Sequence, residues 1–118
     1  MYVTKHGFER IMSRTSMVVH DILELIESDS VISLGKCHHY EYLLFYSPID
    51  EDFKIAIVTQ DRQSLISIWE TFYHLPAEIQ KIDQKRRKRA YHKQRDYFFS
   101  RLERNKKSLI KVTHDLPN

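Results

Sequence analysis

Hydrophobic positions along the chain change period near residue 30, from the spacing of helices to that of strands. Between Gly7 and Thr15, steps of about 100° gather Phe8, Ile11, Met12 and Thr15 on one side. His6, Glu9, Arg10, Ser13 and Arg14 fall on the other, so this stretch is expected to be an amphipathic helix. A second helix is expected from about Met17 to Ser28, with Thr15 or Ser16 as its N-cap. Val18, Val19, Ile22, Leu23, Leu25 and Ile26 form its apolar face. Ahead of both, Met1 to Lys5 reads as a short extended lead.

From Ser30 onward the period is two. Ser30–Leu34, Tyr40–Ser47, Phe53–Thr59 and Ser64–Glu70 are rich in β-branched and aromatic residues and are separated by short polar stretches, which predicts an antiparallel meander. In the third of these, both Phe53, Ile55, Ile57 and Lys54, Ala56, Val58 are largely apolar, as in a central strand covered on both faces. The helices supply one cover, and Trp69 with Phe72 is expected to close the other. After Leu75-Pro76, residues 77–107 contain no Gly or Pro and read as one long, highly charged helix. The expected fold is therefore α+β: two N-terminal helices packed on a three- to four-stranded antiparallel sheet, then a long basic C-terminal helix. It divides into a core over 1–76 and a basic helical arm over 77–118.

A length of 118 residues suits one core. No apolar run is long enough for a membrane helix and no signal peptide is visible, so a cytoplasmic location and no membrane partner are expected. The single cysteine, Cys37, rules out an internal disulfide and a multi-cysteine zinc site. Charge is divided unevenly. Residues 1–80 carry six Lys or Arg against twelve Asp or Glu, whereas residues 81–118 carry thirteen against four. A basic tail on a mildly acidic body points to an anionic partner, and no apolar face accompanies the charge run as a membrane-surface helix would require. Lys85, Arg86, Arg87, Lys88 and Arg89, extended by Lys93 and Arg95, wrap most of a helix circumference, and phosphate is their natural counterion. Such a run supplies affinity without sequence reading. The other reading of the tail is a solvated helix that docks on an acidic protein or on the chain's own acidic body, or that pairs with a second copy of itself.

His6, Arg10 and Arg14 recur at i, i+4 and i+8, in a line on the polar face of the first helix. An imidazole flanked by two guanidiniums combines an acid or base with forked cations for phosphate oxygens. RNA cleavage through the 2′-hydroxyl needs little more than that. The plain reading is a solvent-facing helix on which Glu9 offsets the arginines. His38 or His39 is a candidate second acid/base group, and His39 is carried as that candidate. Cys37-His38-His39 is only half a metal site, so no metal or cofactor is expected. Tyr40, Tyr42 and Tyr46 share one strand face, either as a stacking platform for bases or, more commonly, as a core rim.

The stretch Thr4-Lys5-His6-Gly7-Phe8-Glu9-Arg10-Ile11-Met12-Ser13-Arg14, followed by an apolar helix and a meander ending in Ser64-Leu65-Ile66-Ser67-Ile68-Trp69, resembles small phage and prophage proteins that open with a T-K-H-A-x-x-R-x-x-x-R motif. In layout it is similar to the RelE/ParE/BrnT toxin superfamily and related phage endoribonucleases. The resemblance covers roughly residues 3–76, with Gly7 in place of the usual alanine. It implies an active-site role for His6, with Arg10 one turn on and Arg14 as a weaker match. It also implies a toxin-like endoribonuclease acting on RNA without metal, with an antitoxin as a possible partner. Relatives of such toxins also serve as non-catalytic binders of nucleic acid or protein, for instance as phage inhibitors of a host complex, and that is the rival function.

Overall fold

Thr4 caps the first helix, which begins at Lys5, two residues ahead of Gly7, because its hydroxyl accepts a hydrogen bond from Gly7 N at 2.9 Å. A computed structural model describes residues 1–95 of the chain, and in this part the fold is α+β, with three helices and a five-stranded mixed sheet. The elements run β1 (Tyr2–Val3), α1 (Lys5–Arg14), α2 (Val19–Glu27), β2 (Ile32–Cys37), β3 (Tyr40–Ser47), β4 (Asp52–Thr59), β5 (Ser64–Glu70) and α3 (Gln84–Gln94). In space the strands lie in the order β1-β5-β4-β3-β2. β2 to β5 form the antiparallel meander. The extended lead adds a fifth strand, with Tyr2 opposite Ser64 and Val3 opposite Leu65 in parallel register.

α1 and α2 share one face of the sheet. Ile11, Met17, Ile22, Leu25 and Ile26 pack there against Leu43, Phe45, Ala56, Val58, Leu65 and Ile68. Phe8 and Met12, expected to point inward, are exposed instead. The reason is how closely α1 approaches β5: the contact is made by Gly7, where a Cβ would lie 2.6 Å from Leu65 O. Glycine at this position is thus required by packing, and the alanine of the resembling motif does not fit without a shift. The α2 cap also differs from expectation. Val18 occupies it without a side-chain bond, while Thr15 ends α1.

Thr15 is used elsewhere, in tying the α1–α2 link to the β3–β4 turn. Asp50 accepts from the Thr15 hydroxyl, from Ser47 Oγ at 2.7 Å and from Ser16 N at 3.0 Å. Partial burial raises the Asp50 carboxyl, but these donors together bring it down to about 2. A carboxyl depressed in the folded state stabilises the fold above its ordinary value near 3.8, and the contribution is lost as pH falls from there through about 2. Asp50→Asn should therefore cost about 1 kcal/mol at neutral pH, after discounting for solvent screening, and flatten the acid limb of stability. Denaturant melts of both proteins at pH 7 and pH 2.5 check this, and equal acid limbs would contradict it.

The second face is covered by residues beyond β5. Ile32, Leu34, Tyr42, Leu44, Ile55 and Ile57 are buried under Ile79 and Ala90, with Leu75, Ile82 and Trp69 at the margin. Trp69 takes part as expected, whereas Phe72 is exposed. The long helix expected over 77–107 begins only at Gln84, and the part of that expectation beyond residue 95 lies outside the described residues. Residues 76–83 are held open because Gln80 N donates to Leu34 O at 2.9 Å, which docks the segment on edge strand β2. Gly35, at φ 130°, forms part of a bulge in β2 where Ile79 crosses. β2 itself continues past Leu34, where the expected strand ends, through Gly35-Lys36 to Cys37, and the chain turns at His38-His39.

Candidate functional site

The polar line on α1 is present but is not a cleft. His6 is exposed, and its Nε2 accepts from Arg10 Nε at 3.2 Å. Arg14 points another way: Nη1 donates to Ile68 O at 2.8 Å and the guanidinium lies 5.0 Å over the Tyr73 ring. It anchors the end of α1 to the end of β5, leaving less of its fork for a phosphate. His39 and His38 are exposed in the β2–β3 turn. α1 packs on β5, and β2 is three strand spacings away, about 14 Å. His74 follows β5, in an open groove of about 530 Å³ with Phe72, Tyr73 and Lys81. Among the described residues, Arg10 is the hydrogen-bond partner of His6, and no second acid or base joins them.

Cys37 and its two histidines diverge. The cysteine faces the second core, where burial and the Glu78 carboxylate beside it push the thiol up. The histidines face solvent, and no group of three metal-ligating side chains occurs among the described residues. Tyr42 is buried and Tyr40 half-buried in the same core, so that part of the strand face is a core rim.

The basic segment is placed more firmly. Asp83 caps α3, its carboxylate accepting from Arg86 N at 2.9 Å. Ala90 and Gln94 are fully buried against the sheet. Gln94 solves a local problem: β2 pairs with β3 only as far as Leu44, which leaves the backbone of Tyr46 without a strand on that side. Its Nε2 donates to Tyr46 O at 2.6 Å and its Oε1 accepts from Tyr46 N at 3.0 Å, as a neighbouring strand would. Lys93 reaches Asp29, whose other oxygen binds Arg62, which in turn holds the buried Glu41. Burial raises the Glu41 carboxyl, and the bonds from Arg62 and Ser33 outweigh it and lower it.

With Ala90 and Gln94 inward, Lys85, Lys88, Arg89 and His92 fall at i, i+3, i+4 and i+7 on the exposed side. Arg86 is paired with Asp83 and Lys93 with Asp29, while Lys88 and Arg89 form no ion pair among the described residues. Arg95 sits exposed at the C-cap. Beside this face lie aromatic rings. Tyr46 meets Phe53 at 5.1 Å and Tyr91 at 5.3 Å between centroids, and Arg87 lies 5.4 Å over Phe53.

No family model, curated protein or solved structure matches the chain. The toxin-like reading therefore rests on the His6-Arg10-Arg14 motif and the order of elements. Phe53, Tyr91 and Gln94 were not singled out in the sequence as site residues. Tyr91 had a visible signal, an aromatic ring set within a run of cations. Gln94 had none, because its role depends on where β2 stops. No helix among the described residues is long and apolar enough to cross a membrane.

Proposed function

We propose that this protein is a non-catalytic nucleic-acid-binding module whose working surface is the outer side of α3. The observation that carries this reading is that Lys88 and Arg89 stand exposed with no acidic partner among the described residues, on a helix fixed to the sheet through Ala90 and Gln94. Cations that have no internal counterion and cannot swing inward form a fixed anion-binding surface. The α1 line supports the endoribonuclease reading less well. Acid–base cleavage of RNA is most effective with two proton-transfer groups near one phosphate, and among the described residues the hydrogen-bond partner of His6 is Arg10.

The two readings separate in one assay. Purified protein incubated with labelled RNA from pH 5 to 9, with and without chelator, is expected to bind the RNA and leave it whole. His6→Ala should shift the binding constant by less than about twofold, since His6 is exposed and remote in sequence from α3. Cleavage that disappears in His6→Ala, at a loss on the order of 10² or more in rate, contradicts the module and restores the enzyme.

A further inference from the structure

We propose, resting on that reading, that the groove between α3 and β4 is a base-stacking subsite that gives the module its preference for single-stranded nucleic acid. The groove has a volume of about 180 Å³ and is lined by Phe53, Gln84, Arg87, Lys88, Tyr91 and His92. Its composition is not that of a core. Tyr91 is 37% exposed on the helix surface, and Phe53 is half-buried below it. Arg87 covers one ring and Lys88 lies on the exposed charged side. A planar aromatic group fits such a slot by stacking, and a nucleotide brings its own phosphate to the cations beside it. An acidic peptide satisfies the charges but does not set a flat ring beside each anionic group, as every nucleotide does. Lys85, Lys88 and His92 recur about once per turn, about 5.4 Å apart along the axis, so the backbone of a strand meets two cations and an imidazole donor along the side of the stacked base.

Single-strandedness follows from the same geometry. In a duplex each base face is covered by its neighbours, and a ring held at the side of a helix cannot reach it; an unpaired base can be splayed out onto the ring. RNA and DNA single strands both offer that face, so the subsite itself does not choose between them.

The test uses the full chain and three probes of equal length labelled at one end: single-stranded RNA, single-stranded DNA and duplex DNA. The wild-type protein should bind the single strands about tenfold more tightly than the duplex. Tyr91→Ala should lower single-strand affinity about tenfold and leave duplex affinity unchanged, in keeping with the usual contribution of one stacked base. Tyr91→Trp should keep the preference, and the emission it adds over the wild type should be quenched on single-strand binding, a readout independent of the fold of the alanine variant. A preference for one single strand only identifies the sugar contact and still supports the stack. Equal losses on single strand and duplex, or single-strand binding unmoved by Tyr91→Ala, overturn the subsite while leaving the α3 surface in place. No binding to any probe overturns the surface and the subsite together.

Discussion

Lys88→Glu combined with Arg89→Glu should weaken nucleic-acid binding by about 10² to 10³ at moderate salt, because two phosphate contacts are lost and two like charges are set against the backbone. The fold should be untouched, since both residues are exposed and neither forms an ion pair among the described residues. The same contacts set the salt dependence of the wild type. If about five phosphates meet Lys85, Arg87, Lys88, Arg89 and one further cation, the slope of log K against log salt is about −4.5 for a duplex and −3.5 for a single strand. Affinity then falls about 500-fold or about 100-fold between about 50 and about 200 mM salt. The double variant should flatten the slope by about two units. Fluorescence anisotropy over a salt series measures both, and an unchanged slope would assign the cations some other task. Cutting the chain after Leu75 is a poorer experiment, because Ile79 and Ala90 cover the second core.

Gln94→Ala should be the most damaging substitution on α3. It removes both partners of the Tyr46 backbone at a buried position and leaves a void beneath the helix. A buried unpaired N–H or C=O costs about 1 to 3 kcal/mol, so a loss of about 2 to 4 kcal/mol is expected, lowering the melting temperature by roughly 10 °C. Gln94→Glu should be nearly as harmful, since a carboxylate oxygen then faces Tyr46 O. Lys93→Ala, which breaks an exposed ion pair with Asp29, should cost under about 1 kcal/mol. Thermal melts of the three variants give the order directly. If Gln94→Ala melts with the wild type, α3 is not held on β3 as described.

The parts of the fold readable from sequence are those in which burial repeats with a fixed period. β3 and β5 lie where the alternation of Tyr40–Ser47 and Ser64–Glu70 puts them, and β4 begins one residue early, at Asp52. β1 has only two residues, too few for any period, and exists because Thr4 N and Tyr2 N find Leu65 O and Gln63 O on the rim of β5. The start of α3 differs from expectation because helix-compatible residues run back to 77, while Ile79 packs over Gly35 and Gln80 N is bonded to Leu34 O of β2 before Asp83 can cap a helix. The charge of the arm was legible, and so was the His6–Arg10 contact at i, i+4. What the chain order hides is orientation. Which cations of Lys85–Arg89 face water depends on Ala90 and Gln94 being the buried side, and Arg14 is lost to Ile68 O through contact with a strand 54 residues away.

The most direct measurement is a backbone amide NMR titration of the full chain with a short single-stranded oligonucleotide, read residue by residue. Shifts concentrated on residues 84–92 and Phe53, with His6, Arg10 and Arg14 quiet, are the expected result. Shifts centred on α1 from His6 to Arg14, with α3 unmoved, would contradict the assignment of the binding surface.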